Sequence, residues 1–293
     1  MEKPLICIVG QTASGKSALA VKIARAWDGE IICADSWTVR KQANIGTAKP
    51  SEVDRALVRH HLLDIIEPDE DFNAAQFQKL AKRIITDIQK RGKLPVLVGG
   101  TGLYIDSVLY DYSFSSVGTP VQREELNSLT ISQLLSRIND LGIDVGAVDV
   151  RNKRRLVRLV ETGGAIPTKH RLRSNTLLLG MLVDPEVLNR RIVQRLESMI
   201  NEGLEKEVLG LYQQYGWDCE ALKGINYAQW KGYFLGTESI DDVRQKMIKA
   251  TRDLAKRQKT WFKRNKSIQW LNNPVEWNIV VDLVTTYLNT DIS

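Results

Sequence analysis

The chain has 293 residues, 43% of them hydrophobic and 26% charged, which suits a globular protein and excludes wholesale disorder. Its net charge of +6, from 41 basic and 35 acidic residues, favours a polyanionic partner without requiring one. Three scattered cysteines and three histidines exclude a disulfide framework and argue against a zinc module. No apolar run approaches the roughly 18 residues of a membrane span. The start, Met1-Glu2-Lys3-Pro4, is too acidic and its apolar run too short for a signal peptide, so a cytoplasmic location away from membranes is expected.

Residues 5–9 are a short apolar run that reads as a buried strand, and residues 17–26 follow with helical spacing. Residues 30–34 predict a second buried strand. Phe77, Leu80, Ile84 and Ile88 recur at spacings of three and four and predict a helix over 72–90. Residues 93–98 predict a third strand, closed by Gly99-Gly100. Strand and helix in alternation imply a parallel sheet flanked by helices. Residues 111–126, rich in Ser, Gly, Pro and Thr, read as a hinge. Short helices are expected at 131–140 and 151–161, and strand character resumes at 177–183. From there the chain reads as helical, with Asp184 as an N-cap and Pro185 at the first helical position.

Gly10-Gln11-Thr12-Ala13-Ser14-Gly15-Lys16-Ser17 matches G-x4-G-K-[ST] between a strand and a helix. Such a loop wraps backbone N–H groups around an anion at a helix N-terminus. Gly10, Thr12, Ala13, Ser14 and Gly15 are the expected cradle, Lys16 adds a positive charge, and the Ser17 hydroxyl can ligate Mg²⁺. The pattern specifies phosphate or diphosphate and does not by itself say ATP. The expected fold is therefore an α/β, P-loop NTPase-like core over 1–112 and 175–293, with a small helical insertion over 113–174.

Asp35-Ser36 follows the second strand at the edge where open parallel sheets bind ligands. Asp35 could act as a general base, support Mg²⁺, or simply cap the next turn. Gly99-Gly100-Thr101-Gly102 closes the third strand on the same edge, either to let backbone approach a ligand or as a tight turn. The loop 45–50 is uninformative by itself, and the adjacent His60 and His61 read as structural. Arg191 and Arg195 lie four apart on one helix face. Two basic surfaces stand out. Residues 151–173 hold eight Lys and Arg against Glu161 alone, with Arg154 and Arg158 on one face. Lys249, Arg252, Lys256, Lys259 and Lys263 recur at 3-4-3-4 spacing and make a stripe suited to a nucleic-acid backbone, although a merely solvated face has the same look.

Taken together, the phosphate loop, Ala34-Asp35-Ser36, Ile45-Gly46-Thr47-Ala48-Lys49-Pro50, His60-His61-Leu62-Leu63-Asp64-Ile65 and Leu97-Val98-Gly99-Gly100-Thr101-Gly102-Leu103-Tyr104 occur in an order that resembles the bacterial tRNA dimethylallyltransferases, or tRNA isopentenyltransferases. The likeness continues through Met199, Gly203-Leu204 and Glu207-Val208. It ends in Ala250-Thr251-Arg252-Asp253-Leu254-Ala255-Lys256-Arg257-Gln258 and Thr260-Trp261-Phe262. The resemblance implies transfer of a dimethylallyl group from its diphosphate to N6 of the adenosine 3′-adjacent to a tRNA anticodon, with Mg²⁺ as cofactor. It implies that the phosphate loop holds the prenyl diphosphate, that Asp35 is the base, that Thr101 hydrogen-bonds beside it, and that Arg195 assists the diphosphate; Arg191, on the same helix face, is within reach of it by spacing alone. The expected contacts to the tRNA anticodon stem-loop are Ser36, Thr38, Lys49, Arg154, Arg158, Gln229, Lys249, Arg252, Lys256, Arg257, Lys259 and Lys263. The arm is expected to lie between core and insertion of a monomeric enzyme.

The chain departs from the family pattern where a Gln and a Tyr are usual. Thr38 and Arg40 stand there instead, with Trp37 before them, and a later Gly-Tyr-Arg-Gln reads Asn226-Tyr227-Ala228-Gln229. An adenylate isopentenyltransferase, a small-molecule kinase and a tRNA-binding protein without catalysis are competing readings. The basic stripe weighs against the first two, and retention of Lys16, Asp35 and Arg195 weighs against the third.

Overall fold

The structure is a computed structural model that describes residues 3–114, 120–146 and 148–289. Six strands, β1 (Leu5–Gly10), β2 (Gly29–Ala34), β3 (His60–His61), β4 (Leu94–Gly99), β5 (Thr176–Leu182) and β6 (Gln269–Asn272), form one sheet in the order β3-β2-β4-β1-β5-β6. Every pairing is parallel. β1, β2 and β4 are buried at every residue, as expected of parallel strands covered by helices on both faces.

One face packs Ile6, Ile8, Ile31 and Leu179 against Leu19, Ala20 and Ile23 of the helix Lys16–Ala26 and Val280 and Val284 of the helix Trp277–Asn289. A second core joins the helices Pro185–Asn201, Leu204–Tyr215 and Ile240–Phe262 around Tyr227 and Trp230, the two largest fully buried side chains. The helix after β3 spans Ala74–Lys90 rather than starting at 72. Asn73 forms a capping box with Gln76 and fixes its first turn. Asp184 caps the helix Pro185–Asn201 through the N–H groups of Glu186 and Val187, as its sequence indicates.

The sequence reading omits β3 and β6. They have two and four residues, too short for an alternating pattern to register.

The chain divides into two compact units. One is built from the chain up to Leu109 and again from Arg173 onward, the other from Tyr110–Leu172. The smaller unit packs the helices Pro120–Ser128, Ile131–Asp140 and Lys153–Glu161 around Leu126, Leu134, Ile138, Leu156, Val157 and Leu159. Its last helix starts at Lys153, not 151, because the Asn152 side chain accepts the Arg155 N–H. Residues 120–126 of the expected hinge are helical, and residues 115–119 of it lie outside the described residues.

Candidate active site

The C-terminal ends of β2, β4 and β1 are neighbours, and the three segments read as functional leave the sheet there. After β1 the phosphate loop turns through Ala13 and Gly15 at φ of 59° and 89°. The helix Lys16–Ala26 has neither a side-chain N-cap nor an acidic residue in its first turn. Its free N–H groups and positive dipole end are thus left to an anion. Lys16 is half-buried, and its amine donates to the Gln11 carbonyl at 3.1 Å. Burial, and then the nearby Arg195 cation, pull that amine down to about 8, while Asp35 opposes them.

The loop opens on a cavity of about 740 Å³. Residues 12–17 line it together with Asp35, Trp37 and Thr38, the loop 46–50, Arg191 and Arg195, and an apolar wall that includes Leu196, Met199, Ile225 and Leu254. Asp35 Oδ1 accepts the Trp37 N–H at 2.8 Å and the Thr38 N–H at 3.4 Å. Asp35 therefore caps the next turn with one oxygen while its carboxylate faces the cavity. The cap and base readings of this residue are compatible.

Thr101 stands one step back. Its hydroxyl accepts the Ser36 N–H at 3.1 Å, and neither Ser36 nor Thr101 is on the cavity wall. Both brace the turn that carries Asp35. Thr38 is on the wall but buried, with its hydroxyl unpartnered.

The glycines around Thr101 are required by protein packing, and Gly99 also borders the cavity. A Cβ at Gly99 would lie 2.0 Å from the Ala34 carbonyl oxygen, at Gly100 2.3 Å from Gln258 Nε2, and at Gly102 2.3 Å from the Trp261 ring. The buried Gln258 joins both loops. Its Oε1 accepts the Thr12 N–H at 2.7 Å and its Nε2 donates to the Gly100 carbonyl at 3.1 Å. Gln11 in turn donates to the Ala255 carbonyl.

Arg195 Nη1 lies 3.3 Å from Thr12 Oγ1. Arg191 donates to Asn273 Oδ1 at 2.7 Å, and Asn273 Nδ2 donates to the Ser14 carbonyl at 3.2 Å. Both arginines are thus gathered at the phosphate loop.

The loop 45–50 gains a role. The Glu207 carboxylate accepts the N–H groups of Asn44, Ile45 and Gly46 at 2.9–3.1 Å and the Tyr227 hydroxyl at 2.7 Å. Burial and the Glu207 charge keep that phenol protonated. Asn226 sits at φ 74°, a backbone region that favours glycine and next admits asparagine, and its amide donates to the Gly46 carbonyl at 2.9 Å. The expected glycine is therefore replaced by the side chain best able to keep the turn. His60 and His61 are structural in part: His61 Nε2 bonds Glu30 at 2.7 Å, and His60 Nδ1 bonds the Val58 carbonyl at 2.8 Å, although His60 also borders the cavity.

The residues expected to touch tRNA divide. Lys249, Arg252, Lys256 and Arg257 are exposed on the helix Ile240–Phe262 and Lys263 just past its end, with Lys259 half-buried beside them. The opposite face is buried through Val243, Met247, Thr251, Ala255, Gln258 and Phe262. Leu254 and Trp261 on the same helix are half-buried. Arg154 is exposed. Three others are engaged internally. The Lys49 side chain is 2% exposed and bonded to Asp64, Asn44 and the Arg40 carbonyl. Arg158 pairs with the buried Glu161 at 3.5 Å. Gln229 Oε1 accepts the Asn226 N–H at 2.8 Å.

Sequence reasoning left Gln258, Asn273, Glu207 and Asn226 out of the site. Gln258 carried a signal as an amide on the buried stripe of an amphipathic helix, Asn226 stood out only as a departure, and Glu207 only as part of the resemblance.

Among the described residues, no cluster of three or more His, Cys, Asp or Glu side chains could hold a metal ion. A cage made by protein alone is absent there. Ser17, exposed at the cavity with Asp35 on the same wall, does fit the habit of Mg²⁺, which takes one or two protein oxygens and completes its shell with phosphate and water. No helix among the described residues is long and apolar enough to cross a membrane.

Comparison with known proteins agrees along the whole chain. A tRNA dimethylallyltransferase from Bacillus pumilus is 40% identical over 286 residues, covering 92% of this chain and 90% of the relative. The crystal structure of the full-length tRNA isopentenylpyrophosphate transferase from Bacillus halodurans superposes with a TM-score of 0.76 at 31% identity, covering all of both chains. A eukaryotic dimethylallyltransferase acting on tRNA superposes with a TM-score of 0.78 at 25% identity, over 92% of this chain and 74% of that one. The IPP transferase family model matches residues 38–265. With the sheet, the phosphate loop and the cavity in place, the chain belongs to the IPP transferase family.

Proposed function

We propose that this protein transfers a dimethylallyl group from dimethylallyl diphosphate to N6 of the adenosine 3′-adjacent to the anticodon of tRNA. The observation that carries the reading is that a carboxylate, Asp35, shares one cavity with a phosphate loop and two arginines. In the reaction the bond between the allylic carbon and the diphosphate oxygen breaks, and its electron pair leaves with the diphosphate. The adenine amine forms a bond to that carbon, and its proton passes to Asp35. Lys16, Arg191 and Arg195 stabilise the negative charge that grows on the departing diphosphate. Mg²⁺, held by Ser17 and the diphosphate, would neutralise part of the same charge. The apolar wall of Leu196, Met199 and Leu254 suits the five-carbon chain and keeps water from the allylic carbon.

An adenine in a folded anticodon loop is stacked and must be turned out, at a cost of a few kcal/mol. The exposed cations of the helix Ile240–Phe262 supply backbone contacts that offset this cost. The small helical unit, with Arg154, adds to the tRNA contact, and the enzyme works as a cytoplasmic monomer.

The test is a transfer assay with Mg²⁺, labelled dimethylallyl diphosphate, and bulk tRNA or AMP as acceptor. Label in tRNA alone is the expected outcome. Label in AMP alone would reassign the protein to free nucleotides, and label in neither would refute prenyl transfer with this donor.

A further inference from the structure

We propose that the indole of Trp37 is the surface on which the acceptor's purine stacks when its amine reaches Asp35. The inference rests on the prenyl-transfer reading above and assigns the acceptor half of that site. Among the described residues, Trp37 is the only Phe, Tyr or Trp on the cavity wall. The rest of the wall near the arginines is aliphatic or polar. A branched five-carbon chain packs well on aliphatic side chains, whereas a flat purine taken out of its stack needs a flat partner.

Trp37 is also tied to the base it would serve. Its backbone N–H donates to Asp35 Oδ1 at 2.8 Å, so indole and carboxylate come from one turn. The ring is half-buried and held from the protein side. A Cβ at Gly224 would come within 2.9 Å of Trp37 Cε3 and 3.0 Å of Cζ3, so the glycine backbone lies directly against the ring. The Arg40 guanidinium lies 5.8 Å from the ring centre and is anchored on the carbonyls of Pro68 and Glu70. None of the ring–ring contacts among the described residues involves Trp37, so no aromatic neighbour takes the place of a base. Arg40, one of the departures from the family pattern, thus meets Trp37: the arginine steadies the indole.

The experiment compares two anticodon stem-loops, one with the target adenosine and one abasic at that position. The proteins are wild type, Trp37→Phe, Trp37→Leu and Gly224→Ala. Trp37→Leu should raise the acceptor KM by about tenfold or more, with Trp37→Phe recovering most of the loss. Dimethylallyl diphosphate binding should not change, and the abasic stem-loop should bind wild type and Trp37→Leu equally. Gly224→Ala must push the ring aside while keeping it, so it should narrow the preference for adenosine over abasic; it decides the matter if Trp37→Leu does not fold. The proposal is overturned if Trp37→Leu weakens both stem-loops by one factor, if donor binding falls with it, or if Gly224→Ala leaves the preference intact. A wild type that prefers the adenosine stem-loop in binding but transfers no label would remove the prenyl-transfer reading, not the stacking.

Discussion

Lys16 lies under two pressures that a sequence cannot display. The glycine pattern announces its charge, but Arg195 and the enclosing cavity bring its amine down to about 8. A diphosphate binds best to the protonated amine, so the sign of the pH effect follows. Donor affinity should fall above about pH 8, by up to about tenfold per pH unit until the pKa in the complex is reached. Calorimetric Kd values for dimethylallyl diphosphate across this range would show the bend, and Lys16→Arg, which stays charged, should remove it. Asp35 was legible because a strand end and a carboxylate are adjacent in the chain. Asn226 was legible only as a departure. Its left-handed backbone and its bond to Gly46 explain why an asparagine is accepted where glycine is expected.

At the scale of elements, the long helix Ile240–Phe262 was readable as amphipathic, and Gln258 was its informative exception. A buried amide must find partners, and it finds them in two loops that lie far away in sequence. Gln258→Leu keeps the packing but strands the Thr12 N–H and the Gly100 carbonyl. It should cost about 2 kcal/mol or more of stability and weaken donor binding, as denaturant unfolding and donor titration would measure. An unchanged unfolding free energy would mean the two groups find other partners. The strands β3 and β6 escaped because their pairing comes from long-range register, not from their own composition.

For the whole molecule, the sequence shows where cations are but not which are already spent. Lys249, Arg252, Lys256, Arg257 and Lys263 are exposed and take part in none of the ion pairs among the described residues, whereas Lys49 is consumed by Asp64. Lys256→Ala should weaken binding of every tRNA alike and lower the slope of log K against log salt by about one unit. Lys49→Ala should cost stability and leave that slope alone. Binding titrations at several salt concentrations separate the two; a Lys49 slope change equal to that of Lys256 would reverse the assignment. The bond from Thr12 to Gln258 spans 246 residues. During synthesis the phosphate loop therefore emerges early but waits for the long helix before its supports exist. A nascent or truncated chain lacking residue 258 carries the whole recognisable loop without a finished donor site, so synthesis itself delays activity until most of the chain is made.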